Sequence, residues 1–256
     1  MKLFYRQFGN GESVVLLHGL LGVSDNWVTF ARQLGASYSV FVPDLRNHGQ
    51  SPHSDMFNLA SLEDDVMELI DTLGLEEVYI IGHSLGGKIG MFFSLNHPDR
   101  VKKLVVVDIG LRKSLASMEH LQLIDAMGQV DFSKAKQRSD VDKQLARSIS
   151  SLKLRQFLLK NVYWRDRNML DWRFNLKAIN ENLLSIFDVD TPTGFYPGPV
   201  LFIRGGNSNY ILDEDVPEII TKFPGATVRT IVNVSHWVHA DAPGEFFTLV
   251  KEFLDG

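Results

Sequence analysis

The chain has 256 residues, 45% of them hydrophobic, no cysteine, and a formal net charge of −5. That length fits one large α/β domain able to bury a core without disulfides. The missing cysteines exclude thiol catalysis, disulfides and thiolate metal sites, and a negative balance without a basic cluster argues against nucleic acid as a partner.

Residues 1–6 lack the apolar stretch of a signal peptide. No apolar run reaches the length of a membrane span, and the absence of cysteine is compatible with the expected cytoplasmic location. In chain order, residues 13–17, 38–42 and 78–81 read as buried β-branched strands, with a helical pattern over 59–73 that stops at Gly74. A helix follows Ser84 and ends near Asn96, and residues 101–107 form the next strand. Residues 199–203 and 226–232 resume the strand pattern, and a last helix covers 243–254. Strands alternating with helices predict an α/β fold with a mostly parallel sheet covered on both faces.

Residues 111–195 break this alternation. They read as helical or irregular, with no buried strand and many aromatics, among them Phe132, Phe157, Tyr163, Trp164 and Trp172. An insertion after a strand end, where active sites of such sheets lie, suggests a lid. The expected organisation is a core of 1–110 and 196–256 with a helical lid over 111–195. Phe132, Tyr163 and Trp164 are expected to face a pocket beneath it.

Gly82-His83-Ser84-Leu85-Gly86 lies between a strand and a helix. Glycines two before and two after a serine mark a nucleophile elbow. The turn is so tight that side chains at the flanking positions would collide with neighbouring backbone, and the central residue takes an unfavourable conformation. The serine is thereby displayed at a strand end for covalent chemistry. Two other readings compete: an incidental glycine turn, and a phosphate loop, since Gly82 to Lys88 also spells G-x-x-x-x-G-K. The phosphate loop needs a hydroxyl where Ile89 stands.

With His18-Gly19 after the first strand, Asp44 to Ser51 after the second, the Ser84 elbow third and His236 near the end, the sequence resembles the α/β-hydrolase superfamily. The strings 46–49 (RNHG), 172–175 (WRFN), 205–208 (GGNS) and 236–239 (HWVH) are similar to the bacterial esterases and thioesterases of the YbfF kind and to ABHD11-type hydrolases. The resemblance implies Ser84 as nucleophile and His236 as its base, since a serine hydroxyl is hardly ionised near neutrality and imidazole titrates there. Most of the superfamily places the orienting acid after the strand represented by 199–203, but Ser208 stands at that position. Asp108, at the preceding strand's end, is the alternative that the YbfF-like group uses; Asp213 is the competing acid. Backbone N–H groups of Leu20 and Leu85 are the expected oxyanion donors. His18, His48 and His83 read as architectural, with His83 and Trp237 also counted toward the pocket. His239 shares a turn with His236 and is expected to support it.

The implied activity is hydrolysis of a small-molecule carboxylester or acyl thioester, with acyl-CoA among the candidates, without metal or cofactor. Three alternatives of the same fold remain. An aspartate-nucleophile dehalogenase or epoxide hydrolase is opposed by Ser84. A menaquinone-pathway lyase needs several basic groups, for which Arg46, Lys88 and Arg165 are candidates. A ligand sensor would use the same residues with little turnover.

Overall fold

The computed structural model describes residues 1–113 and 116–256; residues 114 and 115, inside the expected insertion, lie outside the described residues. The strands are β1 (Tyr5–Phe8), β2 (Glu12–Leu17), β3 (Tyr38–Pro43), β4 (Val78–His83), β5 (Val101–Val107), β6 (Val162–Trp164), β7 (Leu170–Trp172), β8 (Val200–Gly205) and β9 (Ala226–Ile231). The helices are α1 (Val28–Leu34), α2 (Leu59–Thr72), α3 (Leu85–Asn96), α4 (Ala116–Gly128), α5 (Arg138–Leu145), α6 (Leu152–Leu159), α7 (Leu176–Asn182), α8 (Leu184–Phe187), α9 (Val216–Lys222), α10 (Val238–Asp241) and α11 (Pro243–Asp255).

A seven-stranded sheet runs in the order β1-β3-β2-β4-β5-β8-β9. Only β1 is antiparallel to its neighbour; the other pairings in this sheet are parallel. β1 is an edge strand that the sequence reading did not include. The central strands are apolar at successive positions because both faces are covered. Alternate residues part to opposite sides, as a strand's period of two requires. Val15, Leu17, Ile80, Leu104, Val106 and Phe202 join one core with α2 and α3. Val14, Leu16, Ile81, Val105, Val107 and Ile203 join the other with α1, α10 and α11.

Local signals set the helix limits. Asn58 caps α2 by accepting from Ser61 N at 2.9 Å, and the helix stops before Gly74, whose φ of +66° suits a residue without Cβ. The loop after β3 is anchored to α2 by a buried two-point pair: Arg46 Nε to Asp65 Oδ2 at 2.5 Å and Arg46 Nη2 to Asp65 Oδ1 at 2.7 Å.

Between β5 and β8 the chain forms α4 to α8 and, contrary to expectation, an antiparallel hairpin of β6 and β7. Val162, Leu170 and Trp172 of this hairpin are buried. Each strand is only three residues long, too short for alternation to register in sequence. The insertion shares the apolar cluster of the α2 and α3 face through Ile124, Leu158, Ile179 and Phe187. It is also hydrogen-bonded to loops that follow β2 and β3: Asn161 Nδ2 donates to Leu21 O at 3.2 Å, and Asn175 N to Asn47 O at 3.0 Å. Lys88 Nζ on α3 donates to Phe187 O at 3.0 Å. Among the described residues no helix is long and apolar enough to cross a membrane.

Glu63 on α2 is 7% exposed and accepts from Asn96 Nδ2 of α3 at 2.8 Å. Burial raises its carboxyl to about 7, against the Asn96 hydrogen bond, which lowers it. The folded state therefore holds more protons than the unfolded state between the ordinary carboxylate value and about 7, so stability falls as pH rises through that window. Glu63→Gln is expected to raise Tm at pH 8 while leaving it nearly unchanged at pH 4. Equal shifts at both pH values in thermal melts would show that the carboxyl titrates normally.

Candidate active site

The strands β2, β4, β5 and β8 all end at the same edge of the sheet, so the loops after Leu17, His83, Val107 and Gly205 converge there. Ser84 follows β4 and precedes α3 with φ 51° and ψ −116°. A Cβ on Gly82 would stand 2.2 Å from Gly86 O, and one on Gly86 2.3 Å from Leu17 O. Both flanking glycines are thus required by backbone approach, for the reason the motif predicted.

The loop after β2 is held by two buried imidazoles. His48 Nε2 accepts from Leu21 N at 3.1 Å, and His18 Nε2 accepts from Leu45 N at 3.0 Å. Each ring's Nδ1 donates to a carbonyl, Arg46 O at 2.9 Å for His48 and Gly19 O at 2.8 Å for His18. These bonds require one neutral tautomer. Burial enforces it, lowering His18 to about 4 and His48, with help from the His18 charge, to about 3. The same loop closes on the elbow: a Cβ on Gly19 would lie 2.9 Å from His83 Nδ1 and 3.2 Å from Ser84 Cβ. Leu20 borders the space beside Ser84. Leu85 is the first residue of α3, where an N–H has no acceptor within the helix.

Asp108 follows β5 with φ 51° and is fully buried. His236 Nδ1 donates to Asp108 Oδ2 at 2.8 Å. The other oxygen, Oδ1, accepts from Gly205 N at 2.9 Å, and Ser208 Oγ donates to Oδ2. Ser208 therefore occupies the usual acid's position as a donor to a carboxylate supplied from the neighbouring strand. Asp213 is turned to solvent and pairs with Arg204 at 2.6 Å. Tyr210 stacks on the His236 ring, centroids 3.9 Å apart at 18°. His83 Nε2 donates to His236 O at 2.9 Å. With Nδ1–H given to Asp108, the Nε2 of His236 is left as the basic nitrogen.

Ser84 and His236 border one cavity of about 30 Å³, with Leu20, His83, His120 and Phe157. Ser84 Oγ is buried without a hydrogen-bond partner among the described residues. Trp237 also lines the cavity, in contact with Phe157 and His83.

Phe132, Tyr163 and Trp164 are not in its wall. Phe132 packs edge-on against Trp172, Tyr163 lies under the Arg173 guanidinium, and Trp164 is 51% exposed on the hairpin. The hairpin carries the last two out of the cavity wall. The insertion's contribution comes instead from His120 and Leu123 on α4 and from Leu154, Phe157 and Leu158 on α6. The spacing of Leu154, Phe157 and Leu158 is that of one helix face, a signal present in the sequence. His120 carried none. His239 packs on Trp27 and His83 rather than bonding to His236. Arg46, Lys88 and Arg165 are each engaged elsewhere, with Asp65, Phe187 O and Asp171.

The alpha/beta hydrolase fold family matches residues 12–243. The sn-1-specific diacylglycerol lipase ABHD11 of Xenopus laevis is 38% identical over 251 residues, spanning 96% of this chain and 80% of that protein. The esterase YbfF of Escherichia coli strain K12 is 30% identical over 246 residues, 96% of this chain and 94% of that one. A solved marine microorganism esterase aligns with a TM-score of 0.94 at 40% identity, covering 99% of each chain.

Removing the His48 ring leaves the buried Leu21 N–H without its acceptor. His48→Ala is expected to lower the unfolding free energy by at least about 1–3 kcal/mol, measured from urea midpoints. His53→Ala, an exposed neighbour, is expected to stay within about 0.5 kcal/mol of wild type. Equal midpoints for the two variants would remove the supporting role assigned to His48.

Proposed function

Because this chain belongs to the α/β-hydrolase fold family, we propose that it is a serine hydrolase cleaving carboxylesters or acyl thioesters, acyl-CoA among them, through an acyl-enzyme. It is a hydrolase of the esterase and lipase type. The observation that carries the serine mechanism is the 2.8 Å bond from His236 Nδ1 to a buried, doubly supported Asp108, with His236 and Ser84 on one cavity.

Ser84 Oγ attacks the acyl carbonyl carbon while His236 Nε2 takes its proton. Asp108 holds the imidazole in the tautomer that leaves Nε2 basic and then stabilises the imidazolium. Gly205 N–H and Ser208 Oγ–H keep the carboxylate aimed, and the Tyr210 ring limits rotation of His236. The oxyanion is held by the N–H groups of Leu20 and Leu85, backbone dipoles already in place before reaction. The imidazolium proton passes to the departing oxygen or sulfur. Water, deprotonated by His236, then cleaves the acyl-enzyme and regenerates Ser84.

Residues 111–195 act as the lid over a core of 1–110 and 196–256. The hydrogen bonds from Asn161 and Asn175 to the loops after β2 and β3, and the α4 and α6 residues beside Ser84, support this role. A space of about 30 Å³ holds roughly one water, so acyl binding requires α6 to move. The engagement of Arg46, Lys88 and Arg165 elsewhere disfavours the polyanion-binding lyase. A cytoplasmic site of action belongs to the same reading.

A fluorophosphonate is expected to label Ser84, with labelling lost in Ser84→Ala; peptide mapping that finds the adduct elsewhere would overturn the mechanism. Asp108→Asn favours the wrong imidazole tautomer. It is expected to lower kcat by about 10⁴-fold, as the corresponding change does in a serine protease, while Asp213→Asn is expected to cost less than about tenfold by comparison. Ser208→Ala should fall between them in ester turnover. A larger loss for Asp213→Asn than for Asp108→Asn would move the acid to the later loop.

A further inference from the structure

A second, much larger space adjoins the one at Ser84. It has a volume of about 600 Å³ and lies between α6 of the insertion and the segment that carries His236. Its walls include Ser235, Trp237 and His239, which flank His236 in the chain, and Lys160, Leu154 and Phe157 from the other side. Leu154, Phe157 and Trp237 also line the small cavity at Ser84. Phe157 and Trp237 meet with ring centroids 4.4 Å apart, so this aromatic pair stands between the two spaces.

The two volumes imply different occupants. About 30 Å³ admits a reacting atom or a water, whereas about 600 Å³ lies within the range of small-molecule binding pockets. Chemistry decides which half of an ester belongs in the larger one. The leaving atom must receive its proton from His236, so the leaving group lies on the imidazole's side of Ser84. The larger cavity is the one walled by the residues on both sides of His236.

Its polar groups indicate what that half carries. Lys153 is paired with Asp241. Lys160 forms no ion pair among the described residues, and it also lines a neighbouring open cavity with Arg138. Arg138 spends its guanidinium on a backbone carbonyl, Val162 O at 2.9 Å, which leaves its charge uncompensated. The acidic neighbour Asp25 is paired with Arg6 at 2.6 Å. His239 makes no hydrogen bond among the described residues, and its Nδ1 is buried without a partner. Burial holds this ring neutral, lowering it to about 3, with the His236, Lys153 and Lys160 charges acting in the same direction. A neutral imidazole in the wall adds no charge that would repel or attract a ligand, and an uncompensated lysine there attracts an anion.

We infer that the cavity between α6 and the His236 segment binds the leaving-group half of the substrate, that this half carries a phosphate or similar anion met by Lys160, and that Phe157 and Trp237 part to connect it to Ser84. The inference rests on the serine hydrolase reading above. It assigns Lys160 to specificity and Phe157 to access, and gives neither a part in bond making.

The test uses the full chain and two butyrate esters that share the acyl group and the glycerol unit and differ by one phosphate, those of glycerol phosphate and glycerol, with monomethyl succinate as an ester charged on its acyl side. The expected result is a lower KM for the glycerol phosphate ester than for the glycerol ester, and no such advantage for monomethyl succinate over methyl butyrate. An exposed ion pair is worth at most about fivefold in binding. Lys160→Gln should therefore shrink the KM ratio by up to about fivefold, and Lys160→Glu should reverse it. Added salt should shrink the wild-type ratio in the same direction. Phe157→Ala should raise kcat/KM for the glycerol phosphate ester relative to methyl butyrate. Fluorophosphonate labelling of Ser84 separates the two levels of failure. Labelled enzyme that turns over both glycerol esters with equal KM, before and after Lys160→Glu, overturns the inference and leaves the serine reading standing. An advantage confined to monomethyl succinate would place the anion on the acyl side and overturn it too. No labelling and no turnover would bring down both.

Discussion

The close approach of backbone to backbone at the Ser84 elbow constrains everything around it. With Gly86 against Leu17 O and Gly82 against Gly86 O, α3 starts as near to β2 and β4 as atoms allow. A positive φ at a non-glycine residue costs of order 1–3 kcal/mol and persists only where the surroundings over-determine it. Here they do: Ser84 N is bonded to Val107 O at 2.9 Å, Lys88 N returns to Ser84 O at 2.9 Å, and every residue from Leu85 to Leu95 is buried. The strain is local and the support is spread across two strands and a helix. This places the serine at a strand end with its first helical amides beside it.

Asp108 repeats the device one strand away. It too leaves its strand at φ 51°, is fully buried, and is fixed by main chain, its N–H bonded to Ile203 O at 2.8 Å. A buried carboxylate without donors would be costly. Gly205 N, Ser208 Oγ and His236 Nδ1 supply three. The end of β8 and the loop after it thus contribute donors to a carboxylate from the neighbouring strand. The exchange is chemically coherent: a hydroxyl takes the place of a carboxylate and bonds to a carboxylate brought in from the side. Around this pair the histidines divide by environment. Burial keeps His18, His48 and His239 neutral, so the first two serve as fixed acceptors for backbone N–H groups.

The insertion joins this framework by apolar packing and a few hydrogen bonds to loops at the active edge. Its α6 face of Leu154, Phe157 and Leu158 turns toward Ser84, while its hairpin carries Tyr163 and Trp164 out of the wall. The result is a small space at the serine and a larger one beside it, with Leu154, Phe157 and Trp237 lining both. Side chains change rotamer far more readily than a packed sheet deforms, and of the two aromatics in this shared wall Phe157 comes from the insertion and Trp237 from the segment that carries His236.

What the sequence determined by itself was local. The spacing of Gly82, Ser84 and Gly86 follows from sterics within a few residues, and buried strands declare themselves because an apolar run between turn signals has few other uses. The order of motifs fixed the superfamily, and with it which strand ends would meet. The tertiary structure decided what depends on distant residues meeting. Asp108 lies 128 positions from His236 and 100 from Ser208; the sequence favoured it over Asp213, which comes late in its loop, but only the fold shows the Asp108 carboxylate meeting His236 and that of Asp213 exposed and paired with Arg204. The aromatic density of the insertion announced a packed subdomain but not its facing, because a hairpin of three-residue strands reverses direction without leaving a periodic trace. His120 reached the cavity from a helix with no motif at all. Residues whose role comes from their own backbone could be read in sequence order; those whose role comes from a neighbour in space had to wait for the fold.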